Sequence, residues 1–471
     1  MESFPFQSVY QTFKRKNRNS MASTFASTAL NRGEFSDEFV WGCSTSSYQI
    51  EGATNEDGRG ESIWDRFCGT PGTIRDGSSG AVACDHYHRW PQDLDLARSL
   101  GVNAYRFSIA WPRIQANGHG QANAKGLDFY SRLVDGMLER GLQPWATLYH
   151  WDLPQALQDE GGWAERRTVD AFVEYADIVS RHLGDRVKHW ITHNEPWCTA
   201  FLGHQEGNHA PGIKSSKTAI QVVHHLLLSH GLAVPVIRNN SANAQVGITL
   251  SLHPILAASY SEADARAVVR HDGSRNRWFL DPLYGRGYPQ DIVRLLGDDA
   301  PLIAPGDMAH IAAATDFLGV NYYFPEVVAD APGAKGIATR LIERKGVPRT
   351  AFGWEVFPEG LTMLLERIHR DYHPTKMYIT ENGSTFDDVV QADGSILDSQ
   401  RRDYLIRHLQ ASRDAVRLGV PLKGYFAWSL LDNFEWAEGY VRRFGLTYVD
   451  YATQRRTLKS SGHWLASFLG G

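Results

Sequence analysis

His189-Trp190-Ile191-Thr192-His193-Asn194-Glu195-Pro196 passes from a β-prone, largely apolar run into an asparagine, a glutamate and a proline. Read as a strand over residues 189–193, it delivers polar side chains at its C-terminal end. The same arrangement recurs along the chain, with strands expected at 39–42, 104–109, 144–149, 189–193, 246–252, 317–321, 377–380 and 424–427. Between them lie amphipathic stretches, 90–100 and 127–140 among them, whose apolar residues recur at three and four and which stop at Gly101 and Gly141. Eight β/α units predict an α/β fold, a single (β/α)8 TIM barrel with extended βα loops. A doubly wound sheet would want a glycine-rich phosphate turn after its first strand, and Gly42-Cys43-Ser44-Thr45-Ser46 is not one. No linker splits the chain, so residues 35–471 read as one barrel domain and 1–34 as a disordered N-terminal extension. Residues 329–350, rich in Gly, Ala, Pro and charge, read as an irregular loop at the active face.

Composition narrows the partners. The 471 residues are 42% hydrophobic and carry 48 Lys plus Arg against 53 Asp plus Glu, a formal charge of −5, which argues against nucleic acid. The basic run Lys14-Arg15-Lys16-Asn17-Arg18 reads as a solvated terminus. Four scattered cysteines, Cys43, Cys68, Cys84 and Cys198, have neither zinc spacing nor the look of a disulfide framework, and suit a reducing compartment. With no apolar leader and no continuous apolar span recognised, the expectation is a soluble cytoplasmic protein with no membrane partner. No cofactor and no metal are expected. His150 has no spaced ligand partner such as HxH or HExxH. Oligomerisation is left open.

The chemistry gathers where strands end. Tyr48-Gln49, His150-Trp151-Asp152, Asn194-Glu195-Pro196, Asn321-Tyr322-Tyr323 and Glu381-Asn382-Gly383 follow successive apolar runs, and in a barrel such ends converge on one pocket. Two of them bring a glutamate beside an asparagine, after the fourth and seventh strands. Cleavage of a glycosidic bond needs two carboxyls, one to protonate the leaving oxygen and one to attack or stabilise the anomeric carbon. Trp111, Trp151, Trp197, Trp428 and Trp436 lie near strand ends and offer flat faces to sugar rings, with barrel core as the alternative for each. Trp428-Ser429-Leu430-Leu431-Asp432-Asn433-Phe434-Glu435-Trp436 sets a carboxylate between indoles after the last strand.

These motifs, with Tyr48-Gln49-Ile50-Glu51-Gly52, Tyr105-Arg106-Phe107-Ser108, His150-Trp151-Asp152-Leu153-Pro154 and Tyr378-Ile379-Thr380-Glu381-Asn382-Gly383, resemble glycoside hydrolase family 1 from about residue 35 to 469. The resemblance implies a retaining β-glycosidase, a β-glucosidase acting on terminal non-reducing β-D-glucosyl residues of cello-oligosaccharides and of aryl and alkyl β-glucosides. It implies Glu195 as acid/base and Glu381 as nucleophile, with Arg106 and Tyr323 donating to Glu381 and holding its pKa down. Gln49, His150, Asn194, Asn321, Trp428, Glu435, Trp436 and Phe444 match positions that bind the sugar. Glu435 would disfavour 6-phosphorylated sugars by repulsion. Trp197, Leu202 and Trp354 match the leaving-group side, implying a narrow aromatic entrance that holds free glucose weakly.

One position departs from the family pattern. His193 stands where relatives carry an apolar or aromatic residue, and strict alternation would put it on the face of Glu195, beneath the acid. A hydrogen-bonded structural histidine is the preferred reading, since a two-residue offset only suggests contact. Galactose or fucose in place of glucose, glycosyl transfer in place of hydrolysis, and a non-catalytic sugar-binding barrel stand as alternatives. The last would require loss of a carboxylate, and both are present.

Overall fold

In the computed structural model, which describes residues 30–334 and 336–470, eight parallel strands close on themselves in chain order. They are β1 (Val40–Ser44), β2 (Ala104–Ser108), β3 (Gln143–Tyr149) and β4 (His189–Asn194). β5 (Gln245–Ser251), β6 (Phe317–Asn321), β7 (Met377–Asn382) and β8 (Leu422–Trp428) complete the ring. The barrel closes where Val40 to Ser44 pair with Gly424 to Trp428. All eight sequence-expected strands are present, with ends moved by two residues or fewer. The expected single (β/α)8 barrel is the fold.

Strands buried on both faces must carry their apolar residues in near-continuous runs, and the barrel interior sorts what remains into layers. The floor is apolar: Val40, Ala104, Trp145, Ile191, Phe317, Tyr378 and Phe426 pack together. Trp145 sits at its centre, edge-on to Phe317, Tyr378 and Phe426 at ring distances of 5.4, 4.7 and 5.0 Å and stacked on His189 at 4.2 Å. Gly42 makes room for this layer, since a Cβ there would fall 2.2 Å from the Phe426 ring. Above it the interior turns polar. Arg106 Nε donates to Thr147 Oγ1 at 3.2 Å, Thr249 Oγ1 to Thr380 Oγ1 at 3.2 Å, and Thr380 Oγ1 to Asn321 Oδ1 at 2.8 Å. The carboxyl groups stand on this layer at the C-terminal mouth.

Helices cover the outside, including Ala124–Glu139, Arg167–Leu183, Ser216–Asn240, Pro358–Tyr372 and Ser399–Arg417. Ser216–Asn240 is long and apolar enough to cross a membrane by composition alone, a stretch the sequence analysis did not single out. Within the fold, 78% of its most apolar window is buried, the condition of a core helix.

Three expectations change. Of the extension assigned to 1–34, residues 1–29 lie outside the described residues. Arg32–Glu34 instead form a 3₁₀ turn capped by Asn31, and Glu34 pairs with Arg413 and Arg417. The expected loop at 329–350 contains ordered pairing: Glu326–Asp330 lies between Ile255–Ala257 and Thr339–Leu341 in a small sheet. Trp111, offered as a sugar platform or core, is core: it is fully buried and stacks on Tyr175 at 4.9 Å outside the barrel.

Replacing the floor's central ring with a methyl removes those contacts where neighbouring strands cannot collapse. Trp145→Ala should cost about 3–5 kcal/mol of unfolding free energy, measured by denaturant titration, without removing any group at the mouth.

Candidate active site

Each site residue arrives from a strand end, and several of those ends break the regular pleat. In β4, Ile191 points into the floor and Asn194 into the mouth, with the register against β5 shifting between them. Thr192 and His193 both face outward: Thr192 Oγ1 meets His230 and His193 Nε2 meets Ser229 Oγ at 2.8 Å, both partners on the helix Ser216–Asn240. The His193 ring stacks on Phe172 at 4.4 Å. The bulge therefore defeats the alternation that would have set His193 beneath Glu195. His193 is a structural histidine, and burial, with the nearby His230, pushes its pKa well below the usual value.

Glu195 follows with φ +46°, and Trp151 and Trp436 also take left-handed backbone at φ +80° and +51°. Such positions cost about 1–2 kcal/mol each for residues with a Cβ, and they cluster at functional sites. Each is held by neighbours. Trp151 Nε1 donates to the Asn194 carbonyl at 2.9 Å, and Trp436 packs against Trp151 and Trp64 with both ring distances at 4.6 Å.

The two glutamates belong to one hydrogen-bonded chain. Arg106 Nη1 donates to Glu381 Oε1 at 2.7 Å and to the Thr380 carbonyl at 2.9 Å, while Arg106 Nη2 donates to Asn194 Oδ1 at 2.7 Å. Asn194 Oδ1 accepts a second bond at 3.1 Å from Asn321 Nδ2, which also donates to Glu195 Oε1 at 3.0 Å. Tyr323 OH donates to Glu381 Oε2 at 2.8 Å. Glu381 thus has a guanidinium and a phenol on its two oxygens. Glu195 has an amide on one oxygen and the Cys198 thiol on the other, donating at 3.1 Å. Cys198 was missed at the sequence level. Its signal was the three-residue offset from Glu195, informative only once the chain after Pro196 is known to be helical.

The remaining expected sugar-binding residues gather beside the pair. Asn194 Nδ2 donates to His150 Nε2 at 3.0 Å, which leaves the buried His150 Nδ1–H without a protein partner. Gln49 Nε2 donates to Asn433 Oδ1 and the Phe434 carbonyl at 3.0 Å and to Glu435 Oε2 at 3.3 Å, while Ser46 Oγ donates to Gln49 Oε1 at 2.6 Å. Asn433 was also missed as a partner of Gln49. His150 lies parallel to Trp428 and Trp436, 5.9 Å from each ring. Phe444 stands 6.1 Å from Tyr323 and 5.9 Å from Trp354, at the junction with the second wall. There Trp354 stacks on Phe352 at 4.3 Å, and the segment after β4 brings Trp197, against Phe201 at 5.5 Å, and the half-buried Leu202. Among the described residues no group of three or more side chains is placed to hold a metal ion.

Electrostatics at the mouth correct one expectation. Burial is the largest influence on Glu381 and raises it; Arg106 pulls it down, Glu195 pushes it up, Tyr323 pulls it down, and the balance lies at about 7. Arg106 and Tyr323 therefore offset desolvation and do not carry the carboxyl below its ordinary range. Glu435 is pushed up to about 8 by burial and then by the Glu381 charge. His150 is driven well down by burial and by Arg106, so it stays neutral. Burial thus raises two of the carboxyls at the mouth, Glu381 and Glu435, against the one guanidinium of Arg106.

Comparison with known proteins agrees with this geometry. Residues 31–470 match the family profile described as Glycosyl hydrolase family 1. Beta-glucosidase A of Thermotoga maritima is 47% identical over 93% of this chain and 98% of its own length. The bifunctional beta-D-glucosidase/beta-D-fucosidase of Bifidobacterium breve is 43% identical over 92% and 98%. The solved Thermotoga maritima beta-glucosidase in complex with glucoimidazole superposes with a TM-score of 0.90 at 48% identity, covering 93% of this chain and 98% of that one.

Removing the phenol takes away one of the donors that lower Glu381. In Tyr323→Phe the Glu381 titration should move upward from about 7 by roughly one unit, since a hydrogen bond to a charged group contributes about 1.5 kcal/mol or more. Carbon-13 NMR of carboxyl-labelled glutamate, with Glu381→Gln to assign the signal, measures it.

Proposed function

The chain belongs to glycosyl hydrolase family 1, and from that premise we infer that it is a retaining β-glucosidase in which Glu381 is the nucleophile and Glu195 the acid/base. The unequal surroundings of the two carboxyls carry this assignment. Arg106 and Tyr323 both donate to Glu381, an arrangement suited to an anion, while Glu195 meets only Asn321 and the weakly polar Cys198 thiol.

In the first step a Glu381 oxygen attacks the anomeric carbon as the glycosidic bond breaks, and Glu195 gives its proton to the departing oxygen. An ester forms on Glu381, and the carboxylate charge is gone. The proton has left Glu195, which is now the anion. In the second step Glu195 takes a proton from water, the hydroxide equivalent attacks the same anomeric carbon, and the Glu381 carboxylate is released. Two displacements restore the β configuration. Arg106 and Tyr323 stabilise the Glu381 charge at the start and at the end and lose that partner in between, so the site's charge moves between the two glutamates without changing in total.

The sugar is held by hydroxyl contacts. Asn194 lies between the two carboxyl-linked residues, where a bond to the 2-hydroxyl strengthens as the transition state forms. His150, neutral and parallel to the Trp428 and Trp436 rings, is read as a further contact to the sugar. Gln49 and Glu435, hydrogen-bonded to each other, clasp the far side of the ring. The natural substrates are read as cello-oligosaccharides and aryl or alkyl β-glucosides, because Trp197, Leu202, Trp354 and Phe352 offer aromatic and apolar surface beyond the scissile bond. The name of the Bifidobacterium breve relative supports tolerance of β-fucosides alongside β-glucosides.

Stereochemistry separates the two roles. With azide and an activated aryl glucoside, Glu381→Gly should regain turnover and release the α-glucosyl azide. Glu195→Ala should release the β-glucosyl azide, because its glycosyl-enzyme still forms. The opposite pairing of products would exchange the roles.

A further inference from the structure

The leaving-group side contains a cation that no motif announces. Arg275 lies in the turn Gly273–Arg277 and is 5% exposed. Its guanidinium carbon stands 3.7 Å from the centre of the Trp197 ring. The edge of the guanidinium is occupied: Nε donates to Glu326 Oε1 at 3.1 Å, Nη1 to the Ser251 carbonyl at 3.3 Å, and Nη2 to Ser251 Oγ at 3.2 Å and to His253 Nε2. Glu326 is held in turn by His271. A guanidinium engaged along its edge is poorly placed to bind an anion, and what it still offers is its flat face.

The same group is linked to Trp354 as well. His253 accepts from Arg275 at Nε2, so its Nδ1–H donates to the Phe324 carbonyl at 2.8 Å. Burial and the Arg275 charge push His253 down to about 3, which keeps it neutral and keeps Nε2 an acceptor. The Phe324 ring packs 4.9 Å from Trp354, which packs 5.3 Å from Tyr323. Trp197 is thus fixed directly, and Trp354 through His253 and Phe324.

We propose that Arg275 is a positioning residue that sets the two aromatic walls against each other and thereby determines discrimination among leaving groups, without touching the sugar. The proposal rests on the reading that Trp197 and Trp354 face the departing group.

The test compares two substrates that share the glucosyl unit: 4-nitrophenyl β-glucoside, with an aromatic leaving group, and β-glucosyl fluoride, with none. Arg275→Met keeps the aliphatic stem and removes the fork. The ratio of kcat/KM values, aryl over fluoride, should fall about 5- to 30-fold, the range expected for a desolvated cation–aromatic contact, while kcat for the fluoride stays within about two-fold of the parent. In a Trp197→Ala background, which should lower the ratio by itself, Arg275→Met should lower it further by less than in the parent, because only the route through His253, Phe324 and Trp354 remains. If Arg275→Met does not fold, Arg275→Gln, planar and uncharged, is read the same way. An unchanged ratio in the Arg275 variant with a lowered one in Trp197→Ala overturns the proposal and leaves the leaving-group assignment standing. An equal fall for both substrates also overturns it, as general damage to the site. A ratio indifferent to Trp197→Ala overturns the leaving-group assignment and the proposal with it.

Discussion

The guanidinium of Arg106, buried in the barrel, is the constraint on which the mouth depends. A cation removed from water must be matched by partners on every side, and Arg106 finds them on three other strands: Thr147 on β3, Asn194 on β4, and Thr380 with Glu381 on β7. Those bonds tie together β3, β4 and β7, and with them the ends at which Glu195 and Glu381 lie. They also govern the charge. Three carboxyls crowd a poorly solvated space, burial raises Glu381 and Glu435, and Arg106 is the charge that draws Glu381 back down. Without it Glu381 would be raised further by burial and by the Glu195 charge.

A barrel can tolerate this arrangement because its layers divide the work. The floor around Trp145 and the helices outside bury apolar surface, which stabilises the whole. The threonine layer above separates that floor from the charged mouth and orients Asn321 through Thr380. Three residues at the top, Trp151, Glu195 and Trp436, take left-handed backbone, and aromatic packing and hydrogen bonds hold them there. Stability and chemistry therefore occupy different heights of one scaffold, as expected when catalytic groups sit on strand ends.

Much of this was legible in the sequence because strands buried on both faces leave continuous apolar runs, and each run ends abruptly in polar residues. All eight strands could be read this way, and the expected site residues lie at the mouth. What was not legible depends on breaks in regularity or on distant partners. Alternation through β4 fails at a bulge, so His193 points outward to Ser229 and Phe172. The site's most perturbed carboxyls follow from burial, which adjacent residues do not reveal. Trp111 resembles a sugar platform by position but packs behind the barrel on Tyr175. Arg275 lies some 78 residues from Trp197 in sequence, with no motif between them, and only folding brings them to 3.7 Å. The strand Thr339–Leu341 was hidden in a segment whose glycines and charges read as loop.

The central claim is that Glu381 bonds to the sugar while Glu195 moves the proton. A 2-deoxy-2-fluoro-β-glucoside with a good leaving group tests it most directly, because the fluorine slows both steps and the activated leaving group preserves the first. Peptide mass mapping of the inactivated enzyme should place one fluoroglucosyl group on Glu381, with activity returning as the ester turns over. A label on Glu195, or inactivation without any label, would contradict the account.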